Sequence, residues 1–240
     1  MEENIIIRAE NVTKIFTPGG TVLDDVSLEI PRGAFVSITG ASGSGKSTLL
    51  TILGGIDRPT SGHVYFDGAD ITAKTEKELA ILRRTKVGFV FQFFNLAPYL
   101  TVYENIMLPI VLAGKRASDF KQKATDLMAY MNISEHAEKL PATLSGGEQQ
   151  RTAIARSLIF EPEAVLLDEP TGNLDSKTGR EIMNLLKKIN EEKGTTIVQV
   201  THSQTNASFA SRIIRIEDGK ILEPNSDESN VGKGEKPAKN

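Results

Sequence analysis

The residues Gly40-Ala41-Ser42-Gly43-Ser44-Gly45-Lys46-Ser47 follow the apolar run Ala34 to Thr39 and lead into Thr48-Leu49-Leu50. This is the G-x-x-x-x-G-K-[ST] order of a phosphate loop set between a strand and a helix. Glycine at 40, 43 and 45 lets the backbone take positive φ, so that successive N–H groups turn inward and form an anion nest. The helix that follows adds the positive end of its dipole. Lys46 offers a mobile charge to β- and γ-phosphates, and the Ser47 hydroxyl can ligate Mg²⁺.

Two further groups have chemistry of their own. Ala164 to Leu167 is an apolar run that ends in Asp168-Glu169. Both carboxylates then stand at the carboxyl end of a strand, where ligands bind in parallel α/β sheets. Asp168 suits Mg²⁺, directly or through water, and Glu169 suits a carboxylate that orients an attacking water. Leu144-Ser145-Gly146-Gly147-Glu148-Gln149 opens a helix. There a hydroxyl, exposed N–H groups and the helix dipole make a second phosphate-binding surface. One loop already holds the nucleotide, so a second surface makes sense if it caps a γ-phosphate held by another subunit.

The elements that must position these groups can be read from hydrophobic spacing. Val26 to Ile30 alternates as a strand does, and Pro18-Gly19-Gly20 marks a turn before it. A helix from the phosphate loop to about Gly54 is followed by a strand at 63–66, a charged helix at 76–84 and a strand at 87–91. From Val102 to about Phe160 helical periodicity dominates, with helices predicted at 102–113, at 117–131 and from about Gly147. Ala164 to Leu167 shows no polar alternation, as in a parallel strand covered on both faces. A helix at 176–192, a strand at 195–200, a short helix and a strand at 212–216 complete the alternation. Glu217-Asp218-Gly219-Lys220 reads as a hairpin turn. Residues 223–240 are polar and expected to be disordered.

In the order and spacing of these motifs the sequence resembles the ATP-binding cassette (ABC) ATPases, from Ile5 to about Leu222. The resemblance implies a phosphate-loop core of the RecA-like α/β class with an antiparallel β subdomain and a helical subdomain at about 101–160. It implies ATP and Mg²⁺ as ligands, and a homodimer that forms on ATP binding. It also implies an integral-membrane permease as partner, and a place at the cytoplasmic face of the membrane. Phe16 matches the aromatic set against adenine, and Gln92 matches the loop glutamine that contacts Mg²⁺ and senses the permease. Ser145, Gly146, Gly147 and Glu148 match the signature that faces the partner's nucleotide, with Glu148 where glutamine is usual. That glutamate is expected to put an extra carboxylate near the capped phosphate. Asp175, in Asn173-Leu174-Asp175, matches the loop that crosses the dimer interface. His202 matches the switch histidine on the γ-phosphate. Asp57 to Gly62, Phe91 to Leu108 and Asp168 to Gly179 look like the lipoprotein-release and macrolide-efflux branch, which includes antimicrobial-peptide exporters and the cell-division cassette. The aromatics Phe93, Phe94, Tyr99 and Tyr103 are expected to help line a groove for a helix of the permease. His63 and His136 match no motif.

Composition narrows the classes. A net charge of −3 over 240 residues argues against a broad nucleic-acid surface, and the lack of cysteine excludes disulfides and thiolate metal sites. The first residues lack the basic and apolar regions of a secretory signal, and Ile106 to Ala113 is too short to span a bilayer. A soluble cassette acting on DNA or ribosomes is the rival reading. Against it, only about a hundred residues separate the phosphate loop from Ser145, leaving no room for a long coiled coil, and there is one cassette rather than two. A non-catalytic subunit is disfavoured because Lys46, Asp168, Glu169 and His202 are all present.

Overall fold

The burial pattern of one strand explains the layering. Along Ala164–Asp168 (β7), Ala164 and Leu166 face one apolar cluster while Val165 and Leu167 face another. A strand covered on both faces needs no polar alternation, which is why this run is uniformly apolar. The computed structural model describes residues 4–222, so the expectation for residues 223–240 lies outside the described residues.

One side of the first cluster is an antiparallel sheet. Ile5–Phe16 (β1) and Gly20–Pro31 (β2) pair along their length, and Ser61–Phe66 (β4) and Ala69–Asp70 (β5) extend the sheet in the order β2-β1-β4-β5. The strands β1 and β2 are far longer than the alternation at 26–30 predicts. Register shifts interrupt their pairing, and Asn11 and Asp25 take positive φ, with Asn11 Nδ2 donating to Asp25 Oδ1 at 2.8 Å. Each bulge resets the inward–outward alternation, so the sequence pattern breaks where the strand does not.

The second sheet is six-stranded in the order β10-β9-β3-β8-β7-β6. Phe35–Thr39 (β3), Val87–Val90 (β6), β7, Thr196–Thr201 (β8) and Arg212–Glu217 (β9) run parallel. Lys220–Leu222 (β10) folds back on β9 through Asp218 and Gly219, both at positive φ, as a two-residue hairpin turn demands. Lys46–Leu53 (α1) lies between the two sheets, in the first cluster. Glu76–Thr85 (α2) begins with a Thr75–Glu78 capping box.

The helices Val102–Leu112 (α3), Lys121–Tyr130 (α4), Gly146–Leu158 (α5) and Ser176–Lys193 (α6) form the second cluster on the other face. The single helix expected at 117–131 begins instead as a 3₁₀ turn at Ala117–Phe120. Arg116, the N-cap residue, supplies no side-chain hydrogen bond to the first turn, so nothing fixes a regular α-helical start there. A short helix at Gln204–Ala207 (α7) leads into β9.

Candidate nucleotide site

The loop between β3 and α1 depends on residues without a side chain. A Cβ at Gly40 (φ 156°) would stand 2.1 Å from the Ile216 carbonyl, and one at Gly45 (φ 98°) 2.7 Å from the Val22 carbonyl. Gly45 is also the N-cap of α1 and provides no capping side chain, so the N–H groups of the first turn are turned toward an external acceptor. Ala41, Ser42 and Gly43 are exposed at the tip, while Ser44 and Lys46 are buried and Thr48 is half-buried. Lys46 Nζ donates to the Ala41 carbonyl at 2.6 Å and lies 3.5 Å from Ser44 Oγ.

The acids arrive from β7, two strands away. Ser47 Oγ donates to Asp168 Oδ1 at 2.8 Å. Burial pushes the Asp168 carboxyl above its ordinary range, against the pull of that hydrogen bond, and the neighbouring Glu169 charge adds to the rise. Two hard oxygen donors side by side fit Mg²⁺, which takes one or two protein ligands and completes its shell with water and phosphate. Glu169 holds φ at 45°, a backbone state costing about 1–3 kcal/mol in a non-glycine residue. Its N–H donates to Val200 O at 3.0 Å and its carbonyl accepts from Gly172 N at 3.0 Å, which fix the bend. Glu169 Oε1 accepts from the backbone N–H of His202 at 3.0 Å and stands 2.7 Å from His202 Nδ1. The two residues line a cavity of about 390 Å³ with Thr171, Asp175 and Ser203. A carboxylate held there by one oxygen can take a hydrogen bond from a water with the other. Gln92, just past β6, lies over the loop that follows Glu169: its carbonyl accepts from Asn173 Nδ2 at 2.8 Å, and its Nε2 is 3.0 Å from where a Cβ would stand at Gly172.

Phe16 ends β1 and is 43% exposed, its ring backed by Lys14 Nζ at 4.8 Å from the centroid. Lys14 is itself fixed by Asp57 Oδ1 at 2.8 Å and the Arg58 carbonyl at 2.7 Å. A ring this exposed is not a core side chain, and one with a cation at it has the chemistry to stack on a flat ligand. The motif reading missed Lys14, although its i, i+2 spacing from Phe16 on a strand places both on one face.

Ser145 caps α5 in a capping box: its hydroxyl accepts from Glu148 N at 3.4 Å, and Glu148 Oε2 accepts from Ser145 N at 2.7 Å. The other Glu148 oxygen lies 2.9 Å from His136 Nε2. The expected extra carboxylate beside the phosphate surface is therefore turned back onto its own chain. The Ser145 backbone hydrogen bond is the main reason its pKa is lowered. Gly147 is buried, and a Cβ there would stand 2.6 Å from Thr178 Cγ2, while one at Gly146 would stand 3.0 Å from Leu174 Cδ2. These glycines let α5 approach α6 closely. Asp175 caps α6, accepting from Lys177 N and Thr178 N at 3.0 Å each, which lowers its pKa. Among the described residues no hydrogen bond or ion pair joins residues 145–148 to the loop at 40–48.

Comparison with known proteins identifies the family and the fold. A protein-family model described as ABC transporter matches residues 23–172. This chain belongs to the ABC transporter family. It carries the ABC ATPase fold and is an ATP-binding, ATP-hydrolysing member that uses Mg²⁺. The cassette is 46% identical over 217 residues to a lipoprotein-releasing system ATP-binding protein, LolD, of Aquifex aeolicus, covering 90% of the chain and 96% of that relative. It is also 46% identical over 226 residues to a macrolide export ATP-binding/permease protein, MacB, of Syntrophobacter fumaroxidans, but spans only 32% of that protein's length. A solved ATP-binding cassette of Methanocaldococcus jannaschii, a dimer in a post-hydrolysis state bound to ADP and Pi, superposes with a TM-score of 0.84 at 44% identity. That match covers 91% of the cassette and 97% of the solved chain. No helix among the described residues is long and apolar enough to cross a membrane.

Proposed function

We propose that two copies of this cassette close head to tail around two MgATP and that closure and reopening drive a membrane permease. The observation that carries this reading is that, among the described residues, no hydrogen bond or ion pair joins the two phosphate-directed surfaces of one chain. The loop at 40–48 stands with Asp168, Glu169 and His202, whereas Ser145-Gly146-Gly147 sits across α5 and α6 and has no bond to it. Pairing the loop of one copy with the Ser145 surface of the other completes both sites at once. The solved dimer of the archaeal relative supports this.

In that arrangement Lys46 and the loop N–H groups bind the phosphates, and Phe16 stacks on the adenine. Ser47 and Asp168, with Gln92 from the loop after β6, would hold Mg²⁺, which would supply positive charge to the phosphates. Glu169, oriented by His202, takes the hydrogen bond of the attacking water, and His202 reaches the γ-phosphate. Asp175 lies where the loops of the two copies cross.

The relatives' names support a permease of the lipoprotein-release or macrolide-export class as the partner, and the proposed seat of the cassette is the cytoplasmic face of the membrane. A groove of about 490 Å³ lined by Arg83, Arg84, Phe89, Leu108, Pro109 and Leu112 offers a seat for a permease helix. Of the four aromatics expected to help line such a groove, Phe93 and Tyr99 are exposed (73% and 90%), whereas Tyr103 packs into the second cluster and Phe94 lies near Gly146. Purification from membranes with identification of the bound subunit, alongside size-exclusion chromatography of Glu169→Gln with and without ATP, tests both halves. An ATP-dependent dimer and a co-purifying permease are expected. A monomer at saturating ATP would overturn the closure.

A further inference from the structure

His136 matches no motif, yet it is built into the signature surface. It ends the short turn Ser134–His136, between α4 and α5, and its backbone is fixed at both ends. Its N–H donates to Ile133 O at 3.0 Å, and its carbonyl accepts from Lys139 N at 2.8 Å. The ring is largely covered, with the side chain 19% exposed. Nδ1 is fully buried with no hydrogen-bond partner among the described residues. An N–H at that atom would be a buried, unsatisfied donor, so the proton belongs on Nε2. Nε2 then donates to Glu148 Oε1 across 2.9 Å, while Glu148 Oε2 takes the Ser145 N–H. Both carboxylate oxygens are thereby occupied by donors of their own chain, with the Lys139 charge adding attraction.

This matters because of where Glu148 stands. It is the third residue of α5, and the N-terminus of that helix is the surface that must accept a negatively charged γ-phosphate. A carboxylate free to rotate there would set like charge against like. A glutamine would carry no such charge and could still close the capping box.

We infer that His136 is a positioning residue for the composite site: it restrains the Glu148 carboxylate so that the Ser145 surface of one copy can receive the phosphate bound to the other. The inference rests on the trans reading of that surface.

The test is the ATP concentration that half-saturates dimer formation by full-length Glu169→Gln protein, compared with that of the same protein carrying a second change. With His136→Ala added, the half-saturating concentration should rise about tenfold, equivalent to roughly 1.4 kcal/mol. The affinity of the isolated chain for ATP should be unchanged. His136→Gln, which keeps an N–H near the Nε2 position, should behave as the parent. Adding Glu148→Gln to His136→Ala should restore the parent value, because no charge is left to restrain. A loss that Glu148→Gln does not repair would make His136 a fold-supporting residue only and overturn the inference. So would an unchanged value in His136→Ala, or an unfolded His136→Ala protein together with a weakened but folded His136→Gln. If the Glu169→Gln parent forms no dimer with ATP, the trans reading fails first and this inference with it.

Discussion

Glu169 sits in a left-handed backbone conformation that a glycine would adopt at no steric cost, and its carboxylate is gripped at one oxygen by two groups of His202. Strain of that kind persists where the surrounding structure fixes it, and it identifies the carboxylate as the group to test. Glu169→Gln should keep nucleotide affinity while turnover falls by about 2–4 orders of magnitude, the contribution of a positioned base. Phosphate-release kinetics check this, and wild-type turnover would remove Glu169 from the proposed role. Lys46→Ala should weaken MgATP binding by about 1.5–3 kcal/mol, the value of a hydrogen bond to a charged group, as read by calorimetry. At this scale the sequence was legible where chemistry is contiguous. The loop from Gly40 to Ser47 and the pair Asp168-Glu169 are each a short run. It was silent where partners come from afar: His136 lies twelve positions before Glu148, and nothing in that spacing announces a hydrogen bond between them.

At the scale of elements, the approach of α5 to α6 sets the signature surface. Gly146 and Gly147 press on Leu174 and Thr178, just where Asp175 caps α6 with two backbone hydrogen bonds. Asp175→Ala should therefore lower the midpoint of a denaturant titration of the isolated chain, because two N–H groups of the first turn lose their cap. An unchanged midpoint would mean that the cap contributes nothing to this helix. The same packing rules out replacing Gly147 as a clean probe of a partner's phosphate. An aspartate there would bury a carboxylate against Thr178 of its own chain before any second copy arrives. Periodicity located the buried strand β7 because both of its faces are covered. It under-read β1 and β2 because their bulges at Asn11 and Asp25 reset the alternation, and only pairing partners distant in sequence reveal that.

Across the whole molecule, α4 and the end of α6 are tied by Tyr130. Its hydroxyl donates to Glu192 at 2.8 Å, and Lys188 and Lys193 lie over its ring. Burial first, then the Glu192 hydrogen bond and charge, push the Tyr130 pKa up to about 12 from an unfolded value of 10.0. A folded pKa above the unfolded one gives stability that is full below about pH 10 and lost as pH rises toward about 12. Wild-type protein should thus lose more stability than Tyr130→Phe between about pH 9 and about pH 11. Equal losses in denaturant midpoint would contradict that coupling.

The composite site is also a property of the whole assembly, and mixing chains addresses it. Ser145→Asp keeps a good N-cap for α5 while placing negative charge on the surface proposed to meet a γ-phosphate. Lys46→Ala disables the phosphate loop and leaves the Ser145 surface intact. Each variant alone should hydrolyse little ATP. In a heterodimer of the two, the intact loop of the Ser145→Asp chain faces the intact Ser145 of the other, so one site is whole if and only if the contact crosses between chains. Steady-state hydrolysis recovered on mixing, at a fraction of the wild-type rate, is the expected result. If mixing recovers nothing, or if Ser145→Asp already destroys ATP binding by the single chain, the Ser145 surface serves its own loop. The two surfaces would then have to close within one molecule.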